Sequence, residues 1–156
     1  MELASISRRS WFVLALGAVF AGCASGQPRV AQTAMPAIPT GTGRIYVYRE
    51  MNYEALSYTA IEFNGQQVGA AGPGSVFFRD VPPGSYRITA RTRLYQPDQA
   101  RTVDVAAGES AYVRVIAIPT PVGGNDGTDA YTSFVLEVMD PVTGAKAIQG
   151  LAYAAP

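Results

Sequence analysis

From Arg44 onward, apolar and polar residues change places every second position in short runs separated by turn residues, and that rhythm predicts strands rather than helices. Arg44-Ile45-Tyr46-Val47-Tyr48-Arg49 consists of β-formers between charged ends. Tyr58 to Asn64 leads into Asn64-Gly65, a dipeptide that accepts positive φ and closes a tight hairpin, with Gln66 to Ala70 as the return strand. Val76 to Arg79 precedes Val81-Pro82-Pro83-Gly84, where two prolines bar a central strand and the glycine permits a turn. Tyr86 to Arg93 then alternates cleanly. Tyr86, Ile88, Ala90 and Thr92 take the inward face, and Arg87, Thr89, Arg91 and Arg93 take the outward one.

Arg101 to Val105 and Tyr112 to Ile118 flank an Ala107-Gly108-Glu109 turn and read as an antiparallel hairpin. A Pro/Gly/Asp loop from Pro119 to Ala130 follows, then a strand from Thr132 to Met139. Asp140-Pro141-Val142-Thr143-Gly144 reads as a turn, and Ala145 to Tyr153 as a last strand. No segment has a helical period. Roughly seven to nine strands joined by short antiparallel connections predict an all-β fold, a single antiparallel β-sandwich of Ig-like type, with a small closed barrel as the alternative.

Ahead of this pattern the chain changes character. Arg8 and Arg9 precede an uncharged apolar run from Trp11 to Ala21 and then small residues, the order of a secretory signal. The run is too short to span a bilayer. Ala21-Gly22-Cys23 resembles the lipobox of bacterial lipoproteins, with Phe20 at its variable first position. The resemblance implies cleavage between Gly22 and Cys23, lipid attachment at Cys23 and acylation of the new amine, a multiple-chain anchor that holds stably. The alternatives are an ordinary signal peptide with an incidental Cys23 and an uncleaved anchor helix. Ala24 and Ser25 lack the aspartate of an inner-membrane retention signal, which favours an outer membrane facing the periplasm. Ser7-Arg8-Arg9-Ser10-Trp11-Phe12 partly matches a twin-arginine signal, but Trp11 stands where Phe is usual, so the general export route is preferred.

Residues 1–22 are therefore read as a signal peptide, 23–43 as lipidated cysteine and flexible tether, and 44–156 as the sandwich domain. The tether holds prolines at 28, 36 and 39 without apolar periodicity, and its roughly 20 residues span some 25 Å as a coil or near 60 Å as polyproline II. An ordered edge segment anchored by Val30 and Ile38 is the alternative. Loss of the leader leaves about 134 residues, one domain's worth. It also removes Glu2, Arg8 and Arg9, taking twelve charges of each sign to ten basic and eleven acidic, so the mature net charge is −1. That near-neutrality argues against a nucleic-acid partner. Cys23 is the one cysteine, so the domain has no disulfide to draw on.

Gly43-Arg44-Ile45-Tyr46-Val47-Tyr48-Arg49, Ile61-Glu62-Phe63-Asn64-Gly65-Gln66-Gln67-Val68-Gly69 and Val81-Pro82-Pro83-Gly84-Ser85-Tyr86 together resemble an uncharacterised bacterial lipoprotein family. Its members open on a G-x-I-Y-V-Y-R strand and later carry a P-G-x-Y turn. Val81 to Ala117 is also similar to PEGA-type surface β-domains. The resemblance covers nearly all of residues 43–153, implies a β fold, and brings no reaction and no site residues with it.

The chemical inventory is short. The chain has no histidine, which excludes Ser-His-Asp and Cys-His arrangements and His-ligated metals. Lys146 is the one lysine and lacks an S-x-x-K context. Glu50, Glu54, Glu62 and Asp80 lie near strand ends, where a carboxylate pair would have to form for glycosidase chemistry; the plainer reading is solvated side chains. Asn125-Asp126-Gly127-Thr128-Asp129 offers oxygen ligands for calcium but lacks the distant bidentate glutamate, so a polar loop is the plainer reading. Arg87, Arg91 and Arg93, with Arg101 and Arg114 on neighbouring strands, form either an anion-binding face or a solvated one balanced by Asp98, Asp104 and Glu109. Tyr46 and Tyr48 share one face of the first strand, which is thus either covered on both sides or an exposed contact patch.

These observations give no catalytic residues, no metal, no cofactor and no enzyme activity. The expectation is a lipid-anchored protein of the bacterial cell envelope, attached to the membrane through Cys23 and serving as an interaction or structural accessory module with an envelope-protein or cell-wall partner. A periplasmic small-ligand or glycan-binding lipoprotein using the Pro119–Ala130 loop is the alternative.

Overall fold

The computed structural model describes residues 35–52, 57–91, 100–121 and 130–154. Residues 1–34, which include the expected signal peptide, Gly22 and Cys23, lie outside the described residues.

The strands are β1 (Gly43–Arg49), β2 (Thr59–Phe63), β3 (Gln66–Ala71), β4 (Ser75–Val81), β5 (Gly84–Ala90), β6 (Ala100–Val105), β7 (Ser110–Pro121) and β8 (Ala130–Met139), followed by helix α1 (Pro141–Ala147) and the short strand β9 (Ala152–Tyr153). They form two sheets, a five-stranded one in the order β8-β7-β1-β4-β9 and a four-stranded one in the order β3-β2-β5-β6. The all-β sandwich expected from the alternation is the fold.

Local chemistry explains the pieces that sequence placed well. Asn64 (φ 51°) and Gly65 (φ 82°) are both left-handed, the conformation a two-residue hairpin between right-twisted strands requires. Asn64 further fixes the turn to β5, donating from its N–H to the Arg87 carbonyl and accepting the Arg87 N–H on its side chain, both at 2.8 Å. In β5, Ile88 and Ala90 are buried while Arg87 is exposed, as the period of two demands.

Connectivity differs from expectation in three places. Gly108 does not close a β6–β7 hairpin: β6 pairs with β5 in one sheet and β7 pairs with β1 and β8 in the other, so residues 106–109 carry the chain across the core. Pro82-Pro83 likewise links strands of different sheets. Not all neighbours are antiparallel, because β1 runs parallel to β7 and β4 parallel to β9. A strand buried on both faces, as all seven residues of β1 are, suits the centre of such a mixed sheet.

The expected strand over Ala145–Tyr153 is instead α1 followed by two residues of β9. The Asp140-Pro141 "turn" is a helix start: Asp140 sits extended at the N-cap and its carboxylate accepts the Thr143 N–H at 2.9 Å, with proline in the first turn, where its missing N–H costs nothing. α1 lies on the outer face of the five-stranded sheet. Ala145, Ala147, Ile148 and Leu151 pack there on Tyr46, Tyr48, Val76 and Tyr112. The tyrosine pair of β1 is therefore buried, and the contact-patch alternative is removed.

The main core fills the space between the sheets with Ile45, Val47, Ile61, Phe77, Ile88, Val113, Val115 and Leu136 among others. Burial of each such side chain contributes about 1.5–3 kcal/mol. Two arginines of β1 are also buried, each 1% exposed: Arg49 faces Phe134 of this core, and Arg44 lies on the opposite face against Tyr46 and Phe78. Arg44 is held from the side by Asp80 (2.6 and 2.9 Å), donates to the carbonyls of Pro36 (2.6 Å) and Ala37 (3.3 Å), and lies 3.9 Å from the Phe78 ring centroid. The Asp80 hydrogen bonds hold the Arg44 proton still more tightly than usual. Residues 36–42, counted in the tether by sequence, are thus hydrogen-bonded to the domain: Thr42 accepts the Gly108 N–H through its carbonyl at 2.8 Å, and Arg44 donates its N–H to Glu109 at 2.8 Å.

Strand directions sort the connections to two ends. The chain enters β1 at one end, together with the tight Asn64-Gly65 turn, Pro82-Pro83, residues 106–109 and Asp140. The longer connections 50–58, 91–99 and 122–129 start and finish at the other, with the Gly72-Pro73-Gly74 turn between them. Residues 53–56 and 92–99 of the first two, and the whole of 122–129, lie outside the described residues.

Candidate functional site

A cleft of about 290 Å³ opens at the end remote from the chain's entry. It exists because β1 and β7 separate. Their parallel register runs only to Tyr48 opposite Arg114, while β7 continues against β8 as far as Pro121 opposite Ala130. Pro119 and Pro121 are tolerated in β7 because β1 no longer asks that edge for donors. The expected Pro119–Ala130 loop is accordingly shorter, its ends being strand, and residues 122–129 lie outside the described residues.

One wall of the cleft is Arg49, Glu50, Met51 and Asn52, and the other is Arg114 to Ala117. Arg114 is bound by Glu137 on β8 (2.6 and 3.0 Å) and approached by Glu50 (3.5 Å). The Asn52 amide donates to the Ala117 carbonyl at 3.5 Å, which puts a side chain where a neighbouring strand would otherwise bond. Arg49 points toward the interior, 5.4 Å from the Phe134 ring, and donates to the Ser57 carbonyl at 2.5 Å; burial lowers its pKa. Beneath Arg114, burial raises the pKa of Tyr48, whose hydroxyl has no hydrogen-bond partner among the described residues.

Beside the cleft stands an apolar shelf on the Gly72-Pro73-Gly74 turn. Tyr58 is 73% exposed, and its ring occupies the space over Gly72, where a Cβ would come within 2.2 Å of it. Met51, 52% exposed, covers Gly74 in the same way at 2.8 Å. A Cβ at Gly72 would displace the Tyr58 ring, and Gly74 at φ +67° takes a conformation that favours glycine.

The carboxylates singled out by sequence do not meet one another as a catalytic pair. Glu62 is ion-paired with Arg91, Asp80 with Arg44 and Glu50 with Arg114, while Glu54 lies outside the described residues. Lys146 occupies the last turn of α1, where its charge opposes the helix dipole's negative end. Among the described residues no cluster of His, Cys, Asp or Glu has the makings of a metal site, and Asn125 to Asp129 falls outside them. No helix of the described residues is long and apolar enough to cross a membrane.

The arginines do not share a face. Arg87 and Arg91 lie on the outer face of the four-stranded sheet, whereas Arg101 pairs across from Ile88 and so belongs to the opposite face. Arg114 is on the other sheet altogether, and Arg93 lies outside the described residues. Strand pairing that sequence did not reveal is the cause. Met51, Asn52 and Tyr58 were missed for a similar reason, since only the parting of β1 from a parallel neighbour makes them wall and shelf; the glycines around Pro73 were the available signal.

No curated protein and no solved structure matches the chain. A match over residues 39–127 is with the family described as "Protein of unknown function (DUF2846)". That span runs from the turn before β1 into the connection after β7 and covers more than half of the chain. By that match the chain belongs to the DUF2846 family, a family of unknown function.

Proposed function

We propose that this protein is a lipid-anchored component of the bacterial cell envelope, held through Cys23 at a membrane facing the periplasm, and that its sandwich is a non-catalytic interaction or structural accessory module. The observation that carries the anchor is Ala21-Gly22-Cys23 behind Arg8, Arg9 and an uncharged run too short to span a bilayer. The arrangement of the domain supports the rest: the chain enters at one end, and the cleft with its shelf lies at the other. An anchor at the entry end would turn the cleft away from the lipid surface. The PEGA-type likeness of Val81 to Ala117 is part of the same reading and favours a surface module over an enzyme.

Mass spectrometry of the protein isolated from envelopes tests the anchor. The expected product begins at Cys23, carries the added mass of acyl chains, and is absent from a Cys23→Ser variant. An unmodified cysteine overturns the reading. A second reading, a small-ligand or glycan-binding lipoprotein, is favoured by one observation, the cleft.

A further inference from the structure

The geometry points to a carbohydrate site at the cleft: we infer that Tyr58 and Met51 receive the flat C–H face of a pyranose ring while Glu50, Asn52 and Arg114 bind its hydroxyls. This deepens the binding-module reading and rests on it, but does not depend on where the chain is anchored.

Three features select that ligand class. The first is the shelf. Tyr58 is one of the most exposed large hydrophobic side chains of the described residues, and its ring lies against Gly72. That ring over Gly72, with Met51 over Gly74 on the same turn, offers an exposed apolar surface for a single sugar ring. The second is charge. The cleft and its rim hold Arg49 and Arg114 against Glu50 and Glu137, and Arg114 is already bonded to both carboxylates. A balanced set of ionised donors and acceptors suits a neutral ligand rich in hydroxyls, each of which both donates and accepts. It does not suit a phosphate or other anion, which would have to displace a carboxylate from Arg114.

The third is the edge of β7. An extended peptide would add to that edge by backbone pairing, but the Asn52 amide already bonds the Ala117 carbonyl there. The cleft's volume of about 290 Å³ is at the small end for ligand sites and matches one sugar residue better than a folded partner. Longer glycans would pass through it with one residue seated on the shelf.

The test uses the full-length protein purified in a detergent without a sugar headgroup. Cellotetraose, chitotetraose, maltotetraose and, as the competing class, a polar extended peptide are titrated at up to millimolar concentration, with saturation-transfer NMR reporting which ligand protons meet aromatic rings. At least one tetrasaccharide is expected to bind, with transfer strongest to the ring C–H protons. Tyr58→Ala should weaken it about tenfold or more, and Tyr58→Phe less than threefold, since stacking needs the ring and not the hydroxyl. Glu50→Gln should weaken it several-fold. Both side chains are exposed, so these variants keep the fold, which unchanged thermal unfolding checks. Binding of the peptide alone, binding of no tetrasaccharide, or binding indifferent to Tyr58→Ala overturns the site. None of these results bears on the mass of the Cys23 product, so the site and the anchor fail separately.

Discussion

The two faces of the five-stranded sheet are packed by different means. Inward, Ile45 and Val47 of β1 meet Phe77, Val113 and Leu136 and the opposing sheet in a core made mostly of branched aliphatic side chains, with Phe63, Phe77 and Phe134 among them. Outward, Tyr46 and Tyr48 with Val76 and Tyr112 lie under a seven-residue helix. The inner core is closed by two sheets that cannot separate without losing the fold. The outer one is closed by a lid too short to be stable as an isolated helix, and its aromatic rings hold one another: Tyr46 and Tyr112 stack at 5.0 Å with planes 5° apart. Burial alone therefore does not say how much stability a face supplies; what covers it decides.

If that contrast is right, the inner face is where a truncation costs most. Phe77→Ala should lower the unfolding free energy by about 3–5 kcal/mol, read from urea denaturation at neutral pH, because the ring is 1% exposed and packed within the inner core. A loss under about 1 kcal/mol would mean the sheets can close over the gap, and the contrast would weaken.

The lid should give way more cheaply. Gly144 is buried against Tyr112, and an added Cβ would stand 2.4 Å from that side chain. Gly144→Ala gains helix propensity but forces α1 away from the sheet, for a net loss of about 1–2 kcal/mol. Near-ultraviolet circular dichroism should record a changed tyrosine signal with the strand content intact. A transition that loses both together would show the two faces to be one cooperative unit.

Strands were legible in the sequence and their partners were not. Alternation in Tyr86 to Ala90 and the Asn64-Gly65 pair are local signals and gave β5 and the β2–β3 hairpin their correct form. The choice between a hairpin and a crossing at Gly108 depends on strands far away in the chain, and a turn residue serves both. α1 was hidden by its shortness: seven residues show too little of a 3.6-residue period to notice, although Asp140-Pro141 carried a readable start signal. The cleft was least visible of all. It arises where a parallel pair ends, and the sequence of Arg49 to Asn52 has no mark of the neighbour it leaves.

A smaller effect with the opposite sign is expected at Tyr48. Its hydroxyl is buried without a hydrogen-bond partner among the described residues, while its ring is part of the outer cluster. Tyr48→Phe keeps the ring and removes the unmet polar group, so stability should rise by up to about 1 kcal/mol. A loss of similar size in the same denaturation measurement would show that the hydroxyl is bonded in solution.

The smallest effect should come from the charge that starts the lid. Asp140 has its pKa lowered from the ordinary 3.8, chiefly by the side-chain hydrogen bond with Thr143 and then by the Thr143 backbone N–H. A carboxyl held more acidic in the folded state than in the unfolded one contributes stability above the unfolded value, and that contribution is lost as pH falls through the folded one. Asp140→Ala should therefore lower the thermal midpoint at pH 7, by less than Gly144→Ala does. The gap to the wild type should then narrow as the pH is taken below about 4, where the wild-type carboxylate itself becomes protonated. The same protonation leaves the inner core untouched, since no carboxylate is among the buried polar groups of the described residues. A gap that stays constant down to pH 3 would assign the role of Asp140 to shape rather than charge, and α1 would then be held in place by its apolar contacts alone.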